Sequence, residues 1–271
     1  MLDKFENIVR AAKEQKKLIA VTHDGVFHTD ELSCTAILMM YFDQTDVSVE
    51  VLRTRDESRI PTGDNVIIYD FGGGILDHHD DDKAKIIDGR KLSSIGKLWR
   101  FGKIEFMERF GINERMWDRI DKNLWKPIDI TDNSSKMNPL TFCINAIRNT
   151  SQEGKKWSDC LNSLIALYSR VFESHRNLQE ETKLMKNLPT IRINNKTFRF
   201  SEEWCSGFDE DPNVVGIIWK HEDGTYKIRM FGRNELRIKG IKNGTDPDII
   251  YVNSSGRNGQ VRKIKDFQRI I

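Results

Sequence analysis

The chain has 271 residues, with 43 Lys+Arg against 41 Asp+Glu, six His, four Cys and 38% hydrophobic residues. That length allows one large domain or two of ordinary size, each with its own core, and 38% hydrophobic beside 31% charged residues excludes disordered and fibrous classes. The longest strongly apolar run, Ala36 to Phe42, is far shorter than the roughly 20 residues of a membrane-spanning helix, so no membrane partner is expected.

In chain order, Leu2, Phe5, Ile8, Val9 and Ala12 recur at helical spacing. The mixed charges of that stretch suit neither a secretory nor a mitochondrial leader, and a cytoplasmic location is expected. Leu18 to Thr22 reads as a buried strand, HDGVFHTDE (23–31) as a loop, and Leu32 to Phe42 as a mostly apolar helix. Val47 to Leu52 and Asn65 to Tyr69 are two more short strands, with PTGD (61–64) as the turn before the second. Strand, helix, strand, strand predicts an α/β fold with a mostly parallel sheet flanked by helices. From Ser93 the pattern is helical through Phe110, then Asn113 to Trp125, Pro139 to Arg148, and Trp157 to about Leu184. After Asn187 it changes to short strands at Thr197 to Ser201, Val214 to Lys220, Tyr226 to Phe231 and Ile249 to Val252. A first domain over 1–186 and a smaller C-terminal α+β domain over 187–271 are therefore expected. Cys34, Cys143, Cys160 and Cys205 lie far apart with no CxxC pair, which predicts neither a zinc knuckle nor a disulfide frame.

Four of the six histidines, His23, His28, His78 and His79, fall within 57 residues, in two clusters rich in aspartate. His23, His28 and Asp30 share a loop just after a strand, where open α/β sheets place their ligands, and imidazole with carboxylate suits a divalent ion. Glu31 beside them reads as a first-turn acid favoured by the helix dipole. In the second cluster Asp70 ends an apolar strand, and Gly72 to Gly74 let the chain turn before Asp77, His78 and His79. Two adjacent histidines beside an aspartate at such a place would cost stability by desolvation unless something binds them. Asp80 to Asp82 read as a solvated acidic tip. In Ile128-Asp129-Ile-Thr-Asp132-Asn133, Asp-Asn before Ser is turn chemistry, and the segment matters because a binuclear site needs a closing carboxylate.

Together these motifs resemble the DHH phosphoesterase superfamily, and most closely the family named after melanocyte proliferating gene 1. The matching words are Thr-His-Asp-Gly-Val-Phe-His-Thr-Asp-Glu at 22–31, Arg-Thr-Arg-Asp at 53–56, Asp-Phe-Gly-Gly at 70–73, Asp-His-His at 77–79, Leu-Ser-Ser-Ile-Gly at 92–96 and Ile-Asp-Ile-Thr-Asp-Asn at 128–133. The resemblance implies a DHH-type fold and two divalent ions, manganese first and magnesium as the alternative. It implies His23, His28 and Asp70 on one ion and Asp30, Asp70, His78 and Asp132 on the other, with Asp70 bridging. By the same resemblance His79 contacts phosphate or assists proton transfer at the leaving oxygen, and Asp77 orients a neighbouring His.

On the substrate side, Arg53 and Arg55 are two apart at a strand end, so an extended chain points both to one face, where they reach a phosphate or stay as a solvated basic end. Ser93 and Ser94 either touch substrate or cap the helix that follows. Gly256, Arg257 and Asn258 stand in a glycine-rich segment of the second domain, of the composition that grips phosphate or a terminal nucleotide. The family's usual His and aromatic residue are replaced there by Asn253 and Arg257. The expected activity is a metal-dependent phosphodiesterase acting on RNA or short oligonucleotides as a 3′-5′ exonuclease. The alternatives are hydrolysis of a small nucleotide, cyclic dinucleotide or pyrophosphate, and a non-catalytic nucleic-acid-binding protein. Charge is segregated accordingly: residues 221–271 hold 11 Lys+Arg and 6 Asp+Glu, and residues 1–220 hold 32 and 35. A basic end suits a polyanion, and an acidic, His-rich first part suits cations.

Overall fold

The computed structural model describes residues 2–79, 86–87, 89–134, 136–207, 209, 211–231, 238 and 246–271. The acidic tip expected at Asp80 to Asp82 lies outside the described residues. The chain divides into two units, Met1–His175 and Arg176–Ile271. No helix among the described residues is long and apolar enough to cross a membrane.

The first unit is α/β, as expected. Helix α1 (Leu2–Gln15) leads into β1 (Lys17–Thr22), whose inward residues Leu18, Ala20 and Val21 are fully or almost fully buried. α2 (Thr29–Phe42) follows, then β2 (Ser48–Arg53) and β3 (Val66–Ile68). The sheet order is β2-β1-β3 with both pairings parallel. All three strands therefore end on one edge, and the segments leaving that edge begin with His23, Thr54 and Tyr69. A short hairpin, β4 (Ile86–Ile87) and β5 (Arg90–Lys91), precedes α3 (Ser94–Phe101) and α4 (Lys103–Phe110).

The helical run that begins with α5 (Glu114–Ile120) continues past Trp125. A π-helical turn over Asp121–Trp125 joins α5 to α6 (Lys126–Asp132). Residues 128–132 are thus helical, and the turn read at Asp-Asn-Ser falls at Asn133 and Ser134, where the helix ends. Pro127 suggests a break, but it sits in the first turn of α6, where its missing N–H belongs to the unpaired set of any helix start. Asn133 then ends the helix, its Nδ2 donating to the carbonyls of Asp129 (2.9 Å) and Lys91 (3.2 Å). α7 (Pro139–Thr150) is capped by the Asn138 side chain, and α8 (Lys156–Met185) carries the chain into the second unit.

The core of the first unit is aromatic. Trp99 on α3 is fully buried and stacks on Trp117 with centroids 3.8 Å apart and planes at 6°. Phe106, Trp125 and Phe172 surround it at 5.3 to 6.0 Å. Helix α3 approaches α6 so closely that a Cβ on Gly96 would lie 2.2 Å from Asp129 Oδ1. Gly96→Ala is accordingly expected to destabilise the first unit by about 1–3 kcal/mol through overpacking, seen as a lower urea midpoint.

The second unit is a six-stranded mixed sheet built from β6 (Thr190–Ile193), β7 (Lys196–Ser201), β8 (Val214–Lys220), β9 (Tyr226–Met230), β10 (Ile249–Val252) and β11 (Asn258–Val261), in the order β10-β11-β9-β8-β7-β6. Among the described residues of this sheet only the β7–β8 pair is parallel. Phe198, Ile218, Ile228, Val261 and Phe267 form its core. β6 and β11 were not expected from the sequence. Thr190 to Ile193 is interrupted by arginine at Arg192, and Asn258 to Val261 contains glycine, so neither shows a strand-like apolar run.

Candidate metal centre

The parallel edge of the first sheet gathers the two His/Asp clusters. His23, directly after β1, is 3% exposed; its Nε2 lies 3.1 Å from Asp70 Oδ2 and 3.3 Å from Glu31 Oε1. Asp70, just past β3, is 2% exposed and holds φ at +62°, a left-handed conformation that aspartate tolerates better than most side chains. It turns the chain so sharply that a Cβ on Gly74 would fall 2.5 Å from the Ile68 carbonyl oxygen. Asp30 in the first turn of α2 is fully buried and accepts the Ser94 N–H (3.0 Å) and the Ile95 N–H (2.9 Å) from the first turn of α3. His78 Nε2 sits 2.7 Å from Asp132 Oδ2 at the end of α6, and its Nδ1 lies 3.6 Å from Asp70 Oδ1.

Donor atoms of His23, His28, Glu31 and Asp70 lie within 4.8 Å of one another, as do those of Asp30, His78 and Asp132, and those of Asp70, His78 and His79. Every metal ligand expected from the sequence is therefore in one of these overlapping groups, and Asp70 belongs to two. His28 and His79 are the exposed members. The His79 ring stacks on His78 at 4.3 Å, and its Nδ1 lies 3.0 Å from Asp77 Oδ1. Asp77 in turn accepts the N–H groups of Gly73 (2.8 Å) and His79 (3.1 Å).

The electrostatics of this cluster favour a cation. Burial, reinforced by Asp132 and Asp70, pushes the Asp30 carboxyl well above the usual range, and burial with Asp70 does the same to Glu31. Burial alone would lower the His78 pKa, but Asp132, Asp30 and Asp70 outweigh it and raise it. Carboxylates crowded out of water repel one another, and a positive charge among them removes that cost. With a proton on His23 Nδ1 donated to the Asp24 carbonyl oxygen 2.9 Å away, the Nε2 lone pair faces the carboxylates of Asp70 and Glu31. Such an imidazole–carboxylate donor set fits a divalent ion of the Mn, Fe, Zn or Mg kind.

Two contributors were not assigned to the site from sequence. Glu31 does act in the first turn, since its Oε1 accepts the His28 N–H at 2.7 Å, but it also faces His23, and its Oε2 is buried without a hydrogen-bond partner. Its place directly after Asp30 in the same motif was the available signal. Asp129, fully buried, accepts the N–H and hydroxyl of Ser93 (3.0 and 2.9 Å) and pairs with Arg90 Nε at 3.0 Å, which ties α6 to the start of α3 and hence to Asp30. Burial pushes its carboxyl up to about 6 against the pull of Ser93 and Arg90.

The expected substrate residues separate. Arg55 reaches the centre, with Nη2 3.1 Å from His23 Nδ1, and lines a 510 Å³ hollow with Asp70 and His79. Arg53 turns away, stacking over Trp157 at 4.2 Å and donating to the Gly25 carbonyl. The two arginines therefore do not share a face, and β2 ends at Arg53, before Arg55. Ser93 and Ser94 are fully buried, and the Ser94 hydroxyl donates to the Leu76 carbonyl 2.9 Å away. Gly256, Arg257 and Asn258 lie in the second unit, in the β10–β11 hairpin, where Asn253 Oδ1 accepts the N–H groups of Arg257 and Asn258. Asn258 lines a hollow there with Trp204, Trp219, Tyr251, Lys220 and Lys227.

The family model MYG1_exonuc, described as an uncharacterised protein family (UPF0160), matches residues 19–194. The chain belongs to this family. Among its relatives, the MYG1 exonuclease of Homo sapiens is 28% identical over 153 residues, covering 47% of this chain and 40% of that protein. The MYG1 protein of Chlamydia trachomatis is 28% identical over 162 residues, covering 56% of this chain and 53% of that protein. The chain thus spans about half or less of the length of these curated relatives. Among solved structures, RecJ from Thermus thermophilus, crystallised with Mg²⁺, aligns over 99% of this chain and 50% of that one with 13% identity and a TM-score of 0.33, too low to carry an argument. The span matched by the MYG1 family contains all the clustered ligands from His23 to Asp132 and none of the residues Gly256, Arg257 and Asn258.

Proposed function

We propose that this chain is a divalent-metal-dependent phosphodiesterase that hydrolyses RNA or short oligonucleotides from the 3′ end. The observation that carries the reading is the buried carboxylate of Asp70 shared by two donor groups, one with His23, His28 and Glu31 and one with His78 and His79, beside the Asp30–His78–Asp132 group. The name exonuclease borne by the human and mouse relatives supports the nucleic-acid substrate. His23, His28, Glu31 and Asp70 would hold one ion, and Asp30, Asp70, His78 and Asp132 the other. Two divalent ions in such a place supply a water of lowered pKa and neutralise charge on the phosphate oxygens.

The protein's own groups do the rest. The amides of Ser94 and Ile95 lock the Asp30 carboxylate in place, so the donor set is preorganised. With His23 Nδ1 donating to the Asp24 carbonyl, the Arg55 guanidinium, whose Nε pairs with Asp24 Oδ1 at 3.5 Å, can turn its Nη2 to a nonbridging phosphate oxygen. His79, exposed and oriented by Asp77, is placed to hand a proton to the leaving oxygen.

Mn²⁺ is expected to raise the melting temperature, by about 2.7 kcal/mol of added stability at a hundredfold excess over its Kd. Mn²⁺-dependent shortening of 5′-labelled RNA into a ladder of labelled fragments, compared with DNA of the same sequence, tests the activity, its polarity and the substrate. No melting shift together with no cleavage of either strand type would end this reading.

A further inference from the structure

A second hollow adjoins the centre on the side away from Arg55. It is lined by His28, Asp30 and Asp132 at one end and by Thr141, Asn145 and Arg148 of α7 at the other, with Val26 and Ile128 as apolar walls. Its volume is 310 Å³, near the lower end of the range of about 300–1,000 Å³ typical of ligand sites. That is room for one nucleoside and too little for two stacked ones.

Two features of this hollow point to a ligand. The Thr29 and Thr141 hydroxyl oxygens are both buried without a hydrogen-bond partner, and Thr29 is only 3% exposed. Buried hydroxyls left unpaired cost free energy, and a polar ligand in the hollow removes that cost. Arg148, for its part, donates from Nη1 to the Phe27 carbonyl, which anchors its guanidinium at the rim.

We propose that this hollow seats the single nucleoside attached to the scissile phosphate, with Thr29, Thr141 and Asn145 bonding its ribose and base edge. The inference rests on the phosphodiesterase reading and deepens it. A phosphate bound through cations held at His28, Asp30 and Asp132 would have its nucleoside at the mouth of the hollow, because those side chains line it. The remainder of the substrate then leaves past Arg55 and His79, and the chain releases one nucleotide at a time.

The test is calorimetric titration of the full chain, in Mn²⁺, with adenosine 5′-monophosphate and separately with inorganic phosphate. Wild type should bind the nucleotide at least tenfold more tightly than phosphate. Asn145→Leu should weaken nucleotide binding at least tenfold and the near-isosteric Thr141→Val about fivefold, both leaving phosphate affinity within twofold. Equal affinity of wild type for the two probes, or undiminished nucleotide binding in the folded Thr141→Val protein, overturns the proposal. Nucleotide selectivity that depends on Asn145 in a protein that cleaves no oligonucleotide would support the hollow as a nucleotide site while overturning the hydrolase reading, so the two failures are distinguishable.

Discussion

Asp70→Asn should lower Mn²⁺-dependent hydrolysis on the order of 10³-fold and remove most of the melting-temperature rise that Mn²⁺ confers. Asp70 is the one residue whose carboxylate serves both the His23–His28–Glu31 group and the His78–His79 group. An amide has half the oxygen donors and no charge, so it weakens both ion sites at once. A loss of about 4 kcal/mol of transition-state stabilisation corresponds to that rate effect. The fold should survive, because asparagine also tolerates the φ of +62°. The metal-free variant should be at least as stable as metal-free wild type, since one of several mutually repelling buried carboxylates is gone. Rates on a labelled oligonucleotide and melting curves with and without Mn²⁺ read all three effects. Hydrolysis within tenfold of wild type would remove Asp70 from the mechanism.

The largest effect on stability is expected at Trp99. Truncation to alanine empties a fully buried site bounded by Trp117, Phe106, Trp125 and Phe172, and should cost about 3–5 kcal/mol. Trp99→Phe keeps a ring against Trp117 and should cost much less. Urea denaturation followed by tryptophan fluorescence measures both. The consequence reaches the site, because α3 carries Trp99 at one end and the Ser94 and Ile95 amides that bind Asp30 at the other. The alanine variant should therefore also bind Mn²⁺ more weakly. A cost below about 1 kcal/mol would mean that the aromatic cluster does not hold this helix.

Much of the first unit was readable in the sequence because its signals are local. Apolar runs of β type at Leu18 to Thr22 and Asn65 to Tyr69 became β1 and β3, and the His/Asp words that follow them fell at one edge because parallel strands end together. His23, His28, Asp30, Asp70, His78 and Asp132 could be named as a set from motif words, and all six have donor atoms in the overlapping groups. The helix read as ending at Trp125 continues to Asp132 through a π-helical turn, a continuation that no local apolar periodicity marks.

What the sequence determined alone was the α/β class, and it named as one set the His and Asp side chains that the fold gathers at one sheet edge, both from short-range pattern. Tertiary structure decided the rest. It turned Arg53 onto Trp157 and Arg55 toward His23, although two residues of spacing suggested a common face. It drew Glu31 into the site and used Ser93 and Ser94 to fix α3 against Asp129 and Asp30. It also opened the hollow between Asp132 and α7. The contacts of Arg53 with Trp157, Arg55 with His23, Ser93 with Asp129 and Ser94 with Asp30 join residues 32 to 104 positions apart, where burial and the pairing of buried polar groups outweigh any local preference.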